Sequence, residues 1–284
     1  MTTEVLPENE EAQRAWDGVL FDRFLRFRFM IGELAQHGHV AMRHFPPSPG
    51  ARVVDLGCGF GDSSKELGEL VGPEGSVLGV DIAPRFIELA RTENTSPNVR
   101  FEVLDVQAAQ FAETFDYAFS RFGTMFFANP VAALRNVHRA LAPGGRLVSV
   151  VWRRREDNPW LYEAEQVVKP LIEIPEETDE ARCGPGPFSM SGADTVSMQL
   201  QLAGFRDVSF LRSDLPMRLG VDVDEAIELN LALGPAAEAV RLAGDEGEAM
   251  RPKLRELLRP VFAQFATDDG VVAGSSVWVI TASA

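Results

Sequence analysis

Cysteine is scarce in this chain: Cys58 and Cys183 are the only two in 284 residues. Two thiols cannot staple a disulfide scaffold, so a reducing cytoplasm is the expected setting. Basic charge is also short. Lys and Arg total 27 against 42 Asp and Glu, a net charge of −15, whereas proteins that hold nucleic acid need a basic face to displace counterions from phosphates. The one basic run, Arg153-Arg154-Arg155, is followed at once by Glu156 and Asp157. No nucleic-acid partner is expected, and the excess of acid is read as a solubility feature. No apolar run reaches the roughly 18 residues that a membrane span needs. The first residues, MTTEVLPENEEAQ, are acidic and contain no apolar segment, so neither a signal nor a transit peptide is expected. Internal repeats and low-complexity tracts are missing too.

What remains is an ordinary globular composition, 45% hydrophobic and 24% charged, which excludes a disordered or fibrous chain. It divides into four stretches. Residues 1–50 read as an N-terminal helical cap. Its first dozen residues are polar and expected to be loose at the start, and its aromatic-dense part, 13–45, is expected to form one or two helices buried on more than one face. Pro46-Pro47-Ser48-Pro49-Gly50 ends it. In residues 51–152 short apolar strands alternate with helical patterns. The strands are expected at 52–56, 76–81, 99–104, 115–120 and 146–152, and the helices at 63–70, 84–92 and 130–140. That rhythm indicates βαβ units, a parallel sheet covered on both faces and an open doubly wound α/β fold. Residues 153–204 break the rhythm with a helix expected at 160–172, an acidic piece and the loop CGPGPF, and read as a lid or substrate region. Residues 205–284 hold a strand at 205–215, a largely helical 222–265 interrupted at Gly234-Pro235 and around 244–247, and a last strand at 274–282.

The chemistry-bearing features sit where the strands of 51–152 end. VVDLGCGFG places Gly57, Gly59 and Gly61 in the bend after the first strand, with Asp62 or Ser63 able to cap the helix that follows. The Gly-x-Gly-x-Gly pattern is not the Gly-x-Gly-x-x-Gly of dinucleotide sites, and no Gly-Lys-Ser/Thr follows to make a phosphate loop. Asp55, Asp81 and Asp105 each fall near a strand's carboxyl end, where ligands of doubly wound sheets bind. Asp81 is placed to accept both hydroxyls of a ribose, and Asp105 to accept from an exocyclic amino group while the main chain at Val106 reads the base edge. The set describes an adenosine site for a ligand without phosphates.

VVDLGCGFG, VLGVDIAPRFIELA, FEVLDV, FDYAFSRFGTMFFANP and RALAPGGRLVSVVW, in that order and spacing, resemble the successive motifs of class I S-adenosylmethionine-dependent methyltransferases over about a third of the chain. SRFGTMFF, LAPGGRLVSVVW and the later PFSM…AGF segment are similar to the bacterial group near the ubiquinone and menaquinone C-methylating enzymes. The resemblance implies a seven-stranded, mostly parallel sheet whose last strand is inserted antiparallel. It implies S-adenosylmethionine as cofactor and S-adenosylhomocysteine as product. Asp55 and the main chain at Gly57, Cys58 and Gly59 would hold the methionine part, Asp81 and Ile82 the ribose and adenine, and Asp105 and Val106 the adenine edge. Ser120 would face the amino group or the reacting centre.

The acceptor is expected to be a small, partly hydrophobic molecule, in a pocket to which Trp16, Phe21, Phe24, Arg121, Phe122, Met125 and Trp152 contribute. No catalytic residue is assigned; His37, His39 and Arg121 are the candidates. His37, His39 and His44 lie close together, but no Cys or carboxylate partner stands at ligand spacing, so no metal is expected. The cofactor carries the reactive chemistry, and a base is needed only if the acceptor arrives protonated. A cofactor-binding protein without transferase activity, acting as an interaction or regulatory subunit, is the alternative. Nicotinamide chemistry fails on the glycine pattern. A homodimer is left open.

Overall fold

The computed structural model of the chain describes residues 5–174 and 181–284. Part of the acidic piece of the expected lid, 175–180, lies outside the described residues, as do residues 1–4. The strands are β1 (Arg52–Leu56), β2 (Ser76–Asp81), β3 (Val99–Val103), β4 (Phe115–Arg121), β5 (Leu141–Trp152), β6 (Arg206–Gly220), the two-residue β7 (Ala266–Thr267) and β8 (Gly270–Ser283). They form one sheet in the order β3-β2-β1-β4-β5-β8-β6, with β7 paired to β8. The first five are mutually parallel, and β8 runs antiparallel between β5 and β6. The expected insertion of the last strand is the observed one.

β1 explains why the sheet is buried on both faces. Successive side chains of a strand point to opposite sides, yet Val53, Val54, Asp55 and Leu56 are all buried. Helices α1 (Pro7–Ala15), α2 (Phe21–Arg26) and α3 (Phe29–His44) precede β1, with a wide turn at Trp16–Leu20 whose Gly18 is non-helical. α4 (Asp62–Val71), α5 (Pro84–Glu93) and α6 (Pro130–Ala140) connect the parallel strands. α7 (Pro159–Val168) and α8 (Ala193–Ala203) follow β5, and α9 (Val223–Asn230), α10 (Pro235–Leu242) and α11 (Gly244–Ala263) follow β6. One hydrophobic core runs from Phe27 and Met30 to Ala282 and Ala284 and takes residues from all four stretches of the chain. Among the described residues no helix is long and apolar enough to cross a membrane.

Four expected boundaries move, each for a physical reason. From Pro7 on, the polar start is helical: α1 is tied down by amide side chains, as described below. β6 continues past Pro216 to Gly220 because it is the outer strand, where a proline's missing N–H removes no ladder bond. The Pro143-Gly144-Gly145 turn is a bulge inside β5, where Phe115 pairs with Leu141 and Tyr117 already with Arg146. The second interruption of the C-terminal helices falls at Ala243, and Gly247 is helical. A Cβ on Gly247 would lie 2.1 Å from the Val240 carbonyl oxygen, so this glycine lets α11 cross α10.

Candidate functional site

A cavity of about 550 Å³ opens at the carboxyl ends of β1, β2, β3 and β4. Gly57, Cys58, Gly59, Asp81, Ile82, Asp105 and Val106 all line it, as do Trp16, Phe24, Arg121, Phe122, Met125 and Trp152. The structure therefore brings most of the sequence-derived candidates to one place. Asp55, Ser120, Phe21, His37 and His39 are not among its lining residues.

The bend after β1 directs its amides inward. The N–H groups of Gly57 and Cys58 donate to the Val80 carbonyl at 2.8 and 3.0 Å, Gly61 N–H donates to the Cys58 carbonyl at 2.9 Å, and Gly59 N–H donates to Asp81 Oδ2 at 3.0 Å. A phosphate would need those donors. With them engaged, what the bend offers is the start of α4, whose first turn has no side-chain cap and favours a carboxylate. Two glycines are also required by packing. Gly57 has φ +67°, and a Cβ there would stand 2.9 Å from the Gly123 Cα; Gly61 has φ +82°, and a Cβ would meet the Phe101 ring at 2.7 Å. The turns after β1 and β4 touch, which holds the cradle shut at its base.

Asp81, at the end of β2, is gripped from both sides: Oδ2 by Gly59 N–H, and Oδ1 by Ala83 N–H at 3.0 Å. Burial pushes its carboxyl up to about 6 against the pull of those amides. Each oxygen keeps lone-pair capacity for a diol. Asp105 is held more fully. Its Oδ1 accepts from Gln107 N–H at 2.9 Å, and its Oδ2 accepts from Leu6 N–H at 3.1 Å and Asn9 Nδ2 at 2.8 Å. Gln13 donates to the Ile82 carbonyl at 2.9 Å. Asn9 and Gln13, four apart on α1, thus clamp that helix over the tips of β2 and β3. Sequence reasoning missed them; two amide side chains at i and i+4 after Pro7 were the available signal.

Asp55 points away from the cavity. Its Oδ2 accepts from the hydroxyls of Ser63 at 2.7 Å and Ser64 at 2.6 Å, which fastens the first turn of α4 to β1. Burial raises its carboxyl, opposed by those hydroxyls and by the charge of Arg121. Ser120 is also a fastener: its hydroxyl donates to the Leu56 carbonyl at 2.8 Å and accepts from Thr124 N–H. Phe21 packs on Phe60 and Phe86, under the Arg85 guanidinium, which lies 4.1 Å from its ring centroid. Cys58 lines the cavity, but burial and the nearby Asp81 and Asp55 charges raise its thiol well above the ordinary value, so it is a small filler rather than a nucleophile.

The two histidines separate because they lie two apart on α3, where positions two apart do not share a face. His39 is exposed and meets Glu66 at 3.2 Å. His37 is 1% exposed, with Nδ1 on the Ser213 hydroxyl at 3.2 Å and Nε2 on the Ser275 hydroxyl at 2.8 Å. Burial pushes it down to about 4, so it is neutral at pH 7. Neither ring nitrogen is left for a substrate. His37 instead backs the cavity wall, edge-on to Phe122 and Trp152.

That wall is the second half of the cavity. Phe122 stacks on Trp152 with centroids 4.6 Å apart, and Trp152 meets Trp160 edge-on at 6.4 Å. Phe122 has φ +62°, a strained setting for a bulky residue, and its N–H donates to the Val150 carbonyl at 2.9 Å. Arg121 lies against α3 where Gly38 leaves room: a Cβ there would sit 3.2 Å from Arg121 Cδ. Trp160, Arg155 and Glu165 also line the cavity; they fall in the expected lid or substrate region, 153–204, but the sequence does not single them out. The loop around Cys183 closes another side; its carbonyl accepts from the Trp16 indole at 3.1 Å, and burial pushes its thiol up to about 12.

Similarity to known proteins agrees with this geometry. An aklanonic acid methyltransferase, DauC, of Streptomyces sp. (strain C5) is 38% identical over 105 residues, covering 36% of this chain and 48% of the relative. A demethylmenaquinone methyltransferase of Lactococcus lactis subsp. lactis (strain IL1403) is 31% identical over 113 residues, covering 38% of this chain and 45% of the relative. The chain spans about half the length of the curated relatives it matches. Among solved structures, the methyltransferase in complex with the Haloferax volcanii Trm112 methyltransferase activator shares the fold at a TM-score of 0.55 and 18% identity, over 95% of this chain and 96% of its own. The YcgJ protein of Bacillus subtilis shares it at 0.54 and 16% identity, over 87% of this chain and 97% of its own. The methyltransferase-domain family matches residues 47–204, more than half of the chain, and the chain belongs to that family of S-adenosylmethionine-dependent enzymes.

Proposed function

We propose that the chain transfers the methyl group of S-adenosylmethionine to a small, partly apolar acceptor. The observation that carries the reading is continuity: the cavity lined by Gly57, Gly59, Asp81 and Asp105 runs on to the aromatic wall of Phe122, Trp152 and Trp160. The residues fit the cofactor. The start of α4 suits its carboxylate, Asp81 its ribose diol, and Asp105, Val106 and Gln107 its adenine edge. When bound, the cofactor supplies an activated methyl group on a positively charged sulfur. This chain's residues bind, orient and exclude water, and holding the acceptor in line can remove several kcal/mol of barrier. No base is required of His37 or His39.

The alternative, a cofactor-binding protein without transferase activity, is disfavoured by the open aromatic chamber. A reducing, cytoplasmic setting belongs to the proposal because both cysteines are free and buried. Sedimentation separates a monomer from the homodimer that the composition also allows.

Two relatives are named for aklanonic acid and demethylmenaquinone, and both compounds serve as first test acceptors. The protein is incubated with S-adenosylmethionine and each compound, and products are weighed by mass spectrometry. A methylated product that disappears in Asp81→Ala supports the reading. Binding of S-adenosylmethionine without turnover of either compound favours the non-catalytic alternative.

A further inference from the structure

We infer that His37 is a positioning residue for the acceptor: held as its Nε2–H tautomer by Ser213 and Ser275, it sets the Phe122–Trp152 wall from behind. The acceptor role rests on the methyl-transfer reading; the tautomer does not. Hydrogen bonding decides the tautomer. Ser275 has one hydroxyl proton and donates it to the Leu215 carbonyl at 2.9 Å. A carbonyl oxygen can only accept, so that proton cannot also serve the imidazole. The 2.8 Å contact between Ser275 Oγ and His37 Nε2 is therefore donated by Nε2–H. In a neutral ring Nδ1 is then the acceptor, and the Ser213 hydroxyl donates to it at 3.2 Å. The opposite tautomer would turn the Ser275 proton to the ring and leave its oxygen facing the Leu215 carbonyl with no hydrogen between them. Both serines are buried, so a bond lost here is not remade with water.

The pinned ring reaches the wall. Ser213 lies two residues before Leu215 on β6, and Leu215 pairs with Ser275 of β8, so the two serines share one face of the sheet. Among the described residues that line the cavity, none comes from β6 or β8. These outer strands touch the aromatic wall through His37, whose ring stands edge-on to Phe122 at 6.4 Å and to Trp152 at 6.3 Å between centroids. Phe122 and Trp152 stack on each other at 4.6 Å, and Phe122 is held at φ +62°, a setting that persists only where surrounding contacts enforce it. An imidazole tied at both nitrogens cannot turn, so it presents the same edge to both rings and fixes one arrangement of the stack.

The test is nuclear magnetic resonance on protein labelled with nitrogen-15 in histidine and tryptophan, with calorimetry of S-adenosylhomocysteine alongside. At pH 7 the His37 ring, assigned by His37→Phe, should carry its proton on Nε2. The wall is read from the indole N–H signal of Trp152, assigned by Trp152→Phe. Ser275→Ala should break the single tautomer and move the Trp152 signal, with affinity for S-adenosylhomocysteine unchanged. In the His37→Phe background the same Ser275→Ala change should move that signal no further, because its effect passes through the imidazole. Ser213→Ala should keep the proton on Nε2 and still move Trp152, and it answers the question if Ser275→Ala does not fold. Whichever of aklanonic acid and demethylmenaquinone is methylated, Ser275→Ala should raise its KM about threefold, the scale of one neutral hydrogen bond, and leave that of S-adenosylmethionine alone. A proton on Nδ1, a Trp152 signal unmoved by either serine variant, or equal shifts with and without His37 overturns the inference while cofactor binding stands. Failure of the folded wild type to bind S-adenosylhomocysteine overturns the methyl-transfer reading, and the acceptor role of His37 with it, whatever the tautomer.

Discussion

Asp81 carries the sharpest residue-scale consequence. Burial lifts its carboxyl from the ordinary 3.8 to about 6 although the amides of Ala83 and Gly59 pull the other way. The ionised form accepts both hydroxyls of a diol, and the protonated form gives up part of that capacity. Affinity for S-adenosylhomocysteine should therefore fall as pH drops through about 6, at most about tenfold per pH unit. Asp81→Asn should bind weakly at every pH, with a flat profile; a wild-type profile equally flat between pH 5 and 7 would remove Asp81 from the site. His37 is shifted the other way and bears on stability. Its folded value, about 4, lies below the ordinary 6.5, so its contribution is complete above 6.5 and is lost as pH falls toward 4. The difference in melting temperature between wild type and His37→Gln should narrow from pH 7 to pH 5. Phe122 tests stored strain. Phe122→Ala and Phe122→Gly both lose the stacking on Trp152, but only glycine accepts φ +62° freely. The glycine variant should be the more stable by roughly 1 kcal/mol in urea unfolding.

Among the elements, α1 is the least expected. Its sequence, PENEEAQRA, is polar on most faces, and such a helix has little apolar burial to hold it. What holds it is polar: Asn9 on Asp105 and Gln13 on the Ile82 carbonyl. The Asn9→Ala, Gln13→Ala double variant should release α1 and expose the tips of β2 and β3. Hydrogen exchange at 7–15 should then rise, and S-adenosylhomocysteine should bind about tenfold more weakly, the scale of the one charge-assisted bond, Asn9 to Asp105, that is lost. Unchanged exchange would mean that some other contact docks the helix. Hydropathy could not reveal this, because it records what a helix buries and not which amides it satisfies. The strands of 51–152 were legible for the converse reason: buried on both faces, they read as short apolar runs between turn residues. β6 runs past the expected end at Leu215 to Gly220, and its place at the sheet's edge makes Pro216 harmless.

The whole molecule makes the cavity from all four stretches of chain: Asn9 and Trp16, the tips of the parallel strands, Trp160 and Glu165, and Leu233 and Glu238 of the C-terminal part. The strand-tip half of the cavity was legible because sheet topology places the tips of the parallel strands on one edge, so Asp81 and Asp105 could be found by counting along strands. Asp55 and Ser120 also end strands, but their side chains point into the fold and fasten the turns. The aromatic half had no such register. Arg121 and Phe122 follow a strand tip, whereas Trp160 and Glu165 come from a helix whose docking is decided only by tertiary packing. The measurement that bears most directly on the account is calorimetric titration of S-adenosylhomocysteine into the wild type and Asp81→Ala at pH 7.5. The account predicts one site per chain in the wild type and a loss of about 1.5–3 kcal/mol in the variant, the range of a charged hydrogen bond. No heat of binding in the folded wild type, or equal affinity in the two proteins, would contradict it.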